Sequence, residues 1–169
     1  MNFEKALSIL KNLCPKNVVE HCLAVSEYSY EIALSIKNNG YSVDVELVRL
    51  GGLLHDIGRS ITHGIEHGVV GANILRMYGF DERIALIAER HIGAGITKEE
   101  AVKLGLPPKN YLPITLEEKI VAHADNLIFE TKRVEIDDVI KKFEKRLGKN
   151  HPSLIRIIKL NDEINSYLK

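Results

Sequence analysis

The stretch LLHDIGRS, residues 53–60, ends a run of leucines on His55 and Asp56, a base and an acid set side by side where an apolar segment stops. Alone, the pair carries little: seven His and seven Asp in 169 residues give roughly 0.3 such dipeptides by chance. Its weight comes from other residues at helical spacing. Val18, His21, Cys22, Val25, Ser29 and Ile32 follow a three-and-four rhythm, which sets His21 inside an apolar stripe. His67 shares a face with Val70, Gly71, Ile74 and Tyr78, and His91 with Ile84, Ile87 and Ala88. Asp125 falls in line with Val121 and Ile128, with Ala124 beside it. Four segments therefore each turn one histidine or aspartate toward the interior.

A single histidine on an apolar face is ordinarily a satisfied core residue. A buried carboxylate is harder to explain, because without a partner it costs several kcal/mol or is forced to protonate. Asp125 thus needs a cation, from Lys, Arg or a metal. Taken separately, His21, His55, Asp56, His67, His91 and Asp125 would each require a private partner in one small core; one shared cation cluster satisfies them all. Imidazole and carboxylate ligands without thiolate suit Fe, Mn, Zn, Ni or Co. Asp56, in the middle of the set, is placed to bridge two ions. On this reading the leucines anchor a helix end in the core, and the pair behind them is buried because it holds metal.

The elements that must position these groups are almost all helical, since apolar residues recur at three and four and alternation at two never persists. The pattern predicts helices over 2–13, stopped before Pro15; 17–38, ended by Asn39-Gly40; 43–55, capped by Ser42; 65–78, closed by Gly79; and 82–92, capped by Asp81 and broken by Gly93 and Gly95. Thr97 with Glu99 and Glu100 opens a short helix, the second acid at the capping-box position. LGLPPKNYLP, residues 104–113, is an irregular loop, because its three prolines cannot sit in helix interiors. Helix returns over 115–130, 136–147 and 153–168, the last two read as packing elements.

Length and composition fit one soluble domain over residues 1–169, with 45% hydrophobic and 27% charged residues. A formal net charge of zero argues against extended nucleic acid or anionic lipid as partner. Cys14 and Cys22, eight apart, form no metal-binding spacing and suit free thiols in a reducing cytoplasm. MNFEKALSILKNL lacks a signal peptide's apolar core, and nothing approaches a membrane span.

The order His21, His55-Asp56, Asp125 resembles the ligand pattern of the HD-domain phosphohydrolase superfamily, and HDIG at 55–58 is similar to the signature of one of its subfamilies. The resemblance covers roughly residues 15–130. EHGVVGANIL at 66–75 and ERHIGAG at 89–95 look like the two extra histidine motifs of binuclear members, such as the diadenosine tetraphosphate hydrolases, and small stand-alone prokaryotic HDIG proteins look similar over the whole length. The resemblance implies an all-α HD-domain helical bundle with the metal site between core helices. It implies one ion on His21, His55, Asp56 and Asp125, and a second on Asp56, His67 and His91. Fe or Mn is favoured, with Zn, Ni, Co or Mg as further fits. His63 stands as the alternative to His67 as ligand, or as a substrate-facing group; the HGxxGA context favours His67. The GYP signature and paired adjacent histidines of cyclic-di-GMP phosphodiesterases are absent.

The expected activity is metal-dependent hydrolysis of a phosphate ester or anhydride, of a nucleotide or related small molecule, by a metal-activated water. Asp56 would hold and orient that water, and Arg59, directly after HDIG, would receive charge on phosphoryl oxygens. His63 and Lys119 join Arg59 as substrate-binding candidates; Lys119 and Arg133 are the weaker ones, and both read more readily as solvated charges. His123, two residues before Asp125, points about 200° away around the helix and reads as a bystander. His151, beside Pro152, reads as a surface residue. The loop 93–113 is expected to wall the pocket and set substrate choice. Two other functions use the same ligand set: a diiron oxygenase of the inositol oxygenase type, and a non-catalytic metal-stabilised nucleotide-binding module.

Overall fold

A computed structural model describes residues 2–169. Its nine α-helices are α1 (Phe3–Leu13), α2 (Lys16–Asn38), α3 (Val45–Leu54), α4 (His67–Met77), α5 (Glu82–Glu89), α6 (Lys98–Leu104), α7 (Leu116–Asn126), α8 (Ile136–Leu147) and α9 (Pro152–Leu168). A 3₁₀ turn, Ile57–Ser60, links α3 to the loop before α4. The all-α expectation holds with one addition: the helix expected over 115–130 stops at Asn126. Beyond it a two-residue antiparallel ladder pairs β1 (Ile128–Phe129) with β2 (Lys132–Arg133).

Caps fix the helix starts. Asn2, Asp44, Asp81, Thr97 and Thr115 each accept a hydrogen bond from a first-turn amide. Asp44 rather than Ser42 caps α3, because its carboxylate reaches the Leu47 amide at 3.0 Å. Thr97 and Glu100 form the predicted capping box. Two other expected boundaries move inward: α4 begins at His67 rather than near 65, and α5 ends at Glu89, which leaves His91 just beyond it.

α2 lies through the middle of the molecule, packed on α3 and α7, while α4 packs on α5 and on the 3₁₀ turn. The α2–α3 approach depends on Gly52, where an added Cβ would come 2.9 Å from the Ser26 Cα. That closeness brings the C-terminal end of α3 beside the middle of α2. The main core runs from Ala6 and Leu10 through Cys22, Leu53 and Leu54 to Val121 and Ile164, and both cysteines are buried in it as free thiols. Ile96, Ala101, Leu106 and Tyr111 form a separate small cluster under the loop after α5. No helix of the described residues is long and apolar enough to cross a membrane.

Candidate metal centre

Five segments deliver six side chains to one place. His21 comes from the second turn of α2, His55 and Asp56 from the end of α3, His67 from the first residue of α4, His91 from just past α5, and Asp125 from the last turn of α7. His55, Asp56, His67 and His91 are buried; the side chains of His21 and Asp125 keep 17% and 20% of their exposure and face a cleft. The Nε2 atoms of His21 and His55 stand 2.9 and 3.2 Å from Asp125 Oδ1, and both lie 3.6 Å from Asp56 Oδ2. On the other side of Asp56, the Nε2 atoms of His67 and His91 each stand 3.2 Å from Oδ1 and 3.2 Å from one another. Asp56 therefore joins two half-sites, one oxygen turned to each.

The backbone aims every ring. His21 Nδ1 lies 2.6 Å from the Glu130 carbonyl oxygen, His55 Nδ1 2.6 Å from that of Gly52, His67 Nδ1 2.8 Å from that of Gly64, and His91 Nδ1 2.6 Å from that of Ala88. A carbonyl only accepts, so each Nδ1 donates its proton and each Nε2 is the ring atom turned toward the carboxylates. This is the outer hydrogen bonding that orients metal-binding histidines. Without a cation among them, whether a metal ion or a second ring proton, lone pairs would face lone pairs.

The electrostatics show the same demand for positive charge at the carboxylates. Burial pushes the Asp56 and Asp125 carboxyls up, yet the histidines around them, His55 first, hold both well below the usual carboxylate range. Burial also opposes charge on His55, but the two carboxylates raise it to about 9. His91 goes the other way: burial lowers it, and the carboxylate does not compensate. A neutral His91 thus points an acceptor at Asp56 Oδ1, a buried oxygen with no hydrogen-bond partner among the described residues. Four imidazoles, two carboxylates and one orphaned oxygen, with no thiolate in the set, fit divalent first-row ions.

The centre opens into a cleft of about 950 Å³. Arg59 stands at its floor, Nε 3.1 Å from Asp56 Oδ2, and His63 beside it, Nδ1 3.4 Å from an Arg59 nitrogen. The structure brings His67 and not His63 to the carboxylate; His63 lines the cleft from an exposed loop. Lys119 does not reach the cleft. It lies six residues from Asp125, about 240° around α7, and its ammonium pairs with Glu163 of α9 at 3.0 Å. Arg133 is likewise engaged, with Glu31 at 2.8 Å. His123 is buried away from the ligands, and burial lowers it to about 4. His151 caps α9 through its ring nitrogen rather than lying free on the surface.

Two expectations about the walls change. Beyond Ile92 and Gly93, the loop through residue 113 does not line the cleft; it is tied down by its own small core and by Lys109, whose ammonium meets buried Glu89 at 2.9 Å. Part of the wall is instead α8, expected only to pack, which contributes Lys142, Phe143 and Arg146. Sequence reasoning also missed Glu130, whose carbonyl holds His21, and Asn126, whose side-chain amide donates to the Gly93 carbonyl at 3.0 Å and ties α7 to the segment following His91. α8 carries two i,i+4 cation pairs, Lys141/Lys145 and Lys142/Arg146, and only the second lines the cleft, so the spacing by itself gave no signal for the wall.

The HD domain family profile matches residues 18–130. An uncharacterized protein of Methanocaldococcus jannaschii, MJ0778, is 86% identical over the full length of both chains. A tRNA (cytidine(56)-2'-O)-methyltransferase of Thermoplasma volcanium is 48% identical over 83% of this chain, which spans 43% of that protein. Among solved structures, the HD domain of the L. monocytogenes phosphodiesterase PgpH, in complex with cyclic-di-AMP, superposes with a TM-score of 0.61 at 19% identity, covering 97% of this chain and 95% of that one. The chain therefore belongs to the HD-domain family of metal-dependent phosphohydrolases.

Proposed function

We propose that the protein hydrolyses a phosphate ester or anhydride of a nucleotide or related small molecule, as a single catalytic domain of the reducing cytoplasm. The observation that carries this reading is the placement of Asp56: a buried carboxylate, facing four histidine Nε2 atoms, at the bottom of a cleft wide enough for a nucleotide. His21, His55, Asp56 and Asp125 would hold one divalent ion and Asp56, His67 and His91 a second, with Fe or Mn favoured. Such ions supply a water of lowered pKa and a Lewis acid for a phosphoryl oxygen.

The chain's own residues do the rest. The backbone carbonyls behind the four rings fix each Nε2 toward the centre, so the site is organised before substrate arrives. Arg59 donates one N–H to Asp56, has a second nitrogen against His63, and keeps its remaining donors for phosphoryl oxygens, whose charge grows as the leaving oxygen departs. His63, beside Arg59 on the cleft wall, is in reach of the same group. The cyclic dinucleotide bound by the PgpH domain puts nucleotides first among substrates to try.

The test is a panel of nucleotides, cyclic dinucleotides and simple phosphate esters, offered to protein loaded with Mn or Fe after anaerobic purification. Release of phosphate or nucleotide that disappears in Asp56→Ala is expected. Activity that survives Asp56→Ala, or oxygen consumption without any phosphate-ester cleavage, overturns the reading.

A further inference from the structure

Part of the wall of the cleft is α8, which lies outside the segment matched by the family profile. Lys142 and Arg146 stand four apart on it, one turn of helix, with Phe143 between them in sequence, and all three line the cleft. Like charges at that spacing disfavour the helix by a few tenths of a kcal/mol, and no acid relieves them: neither side chain makes an ion pair among the described residues. Asp138, four residues before Lys142, is occupied as the capping partner of Glu135. The Lys142 ammonium instead rests 4.6 Å from the centre of the Phe129 ring, another cleft residue. Arg59 adds a third cation from the floor. The cleft is also lined by Glu20, Asp56, Asp125 and Glu130, so the two cations of α8 that make no ion pair mark the part of its wall where an anion meets positive charge.

We propose that Lys142 and Arg146 form a second anion subsite, which binds a phosphoryl group of the substrate other than the one being cleaved. The preferred substrate then carries at least two phosphoryl groups, the scissile one at the Arg59 end of the cleft and the other against α8. The field at Lys142 agrees with this placement: burial lowers its pKa first, Arg146 and Arg59 lower it further, and only Asp125 opposes them. This rests on the phosphohydrolase reading for the identity of the scissile group, but the subsite itself is a statement about binding.

Two chromogenic probes that differ by one phosphoryl group separate the two claims: the p-nitrophenyl ester of thymidine 5'-phosphate, and the same ester with an added 3'-phosphate. Binding to Mn-loaded full-length protein is measured by calorimetry, and turnover by p-nitrophenolate release. The added phosphate is expected to tighten binding and lower KM about tenfold. Lys142→Gln/Arg146→Gln should erase that advantage while leaving the singly phosphorylated ester within twofold. Lys141→Gln/Lys145→Gln, on the same helix and outside the cleft, should leave both probes unchanged and serves as the control for general charge. Equal binding of the two probes by the native protein, or an advantage that persists in the Lys142/Arg146 variant, overturns the subsite. Preferential binding without release of p-nitrophenolate from either ester upholds the subsite and counts against the hydrolase reading instead.

Discussion

A methyl group added at Gly58 would stand 1.9 Å from the backbone carbonyl oxygen of His67 and 2.7 Å from the amide nitrogen of Gly71. The glycine of HDIG is thus the surface on which the first turn of α4 rests, and α4 delivers His67 to Asp56. Gly58→Ala has no side chain to push aside, only backbone. It is expected to destabilise the fold by about 1–3 kcal/mol, as overpacking does, and to lower bound metal from two ions per chain toward one, because His67 moves while His21, His55 and Asp125 stay. Urea unfolding together with metal analysis checks both. A variant that loses stability and keeps both ions would show that α4 shifts as a body without carrying its histidine away.

Glu130 occupies the left-handed region, φ 58°, in the tight turn between β1 and β2, and its carbonyl accepts from His21 Nδ1. The position costs a side-chain-bearing residue about 1 kcal/mol or more. Glu130→Gly removes that cost, partly offset by glycine's greater freedom when unfolded, so the thermal midpoint should hold or rise slightly, with metal affinity unchanged. Glu130→Val should lower the midpoint and weaken metal binding about tenfold, the scale of losing an outer hydrogen bond to a ligand. Equal affinities in the two variants would mean that His21 does not need this turn.

The half of the site that burial creates was readable from sequence. His21, His67 and Asp125 interrupt apolar stripes at helical period, and a polar residue there either has a partner or has no reason to be present. The outer groups were not readable. Glu130 acts through its main chain, and a two-residue turn has no periodicity to find. Lys142 and Arg146 sit on a helix whose one fully buried residue is Val139, and a basic face bathed in solvent has the same sequence as one that walls a cleft. Lys119 illustrates the reverse error: nearness to Asp125 along the chain means little when the helix turns its side chain to α9.

The loop from residue 94 to 113 is also open to a direct test. Lys109 carries its attachment to Glu89, whose carboxylate is buried and also lies 3.5 Å from Arg76. Lys109→Met leaves Glu89 with the single, longer partner. Since Lys109 is itself half exposed, the loss should be near 1 kcal/mol, seen as a lower midpoint in chemical denaturation. KM for any substrate found should not change, because this loop does not line the cleft. A KM that rises severalfold in this variant would return the loop to a role in substrate choice.

Metal stoichiometry tests the centre most sharply, because the two carboxylates are placed unequally. Asp125 comes within 3.2 Å of His21 and His55 and makes only a looser approach to His91, whereas Asp56 faces the first two through Oδ2 and His67 and His91 through Oδ1. Asp125→Asn should therefore bind one ion of the two, and Asp56→Asn neither with useful affinity. Metal that binds only the folded chain stabilises it by about 2.7 kcal/mol at a hundred times Kd, so added Mn should raise the thermal midpoint of the native protein, raise that of Asp125→Asn less, and leave Asp56→Asn unmoved. In metal-free protein the surrounding histidines, His55 first, hold the Asp56 carboxyl well below the usual carboxylate range, so its charge stabilises the fold at neutral pH and that stability is lost as pH falls through the depressed value. Asp56→Asn stripped of metal is accordingly expected to be less stable than the stripped native protein at pH 7, with the difference narrowing on acidification. Equal midpoints for the two at pH 7 would mean that the carboxylate gains nothing from the histidines around it.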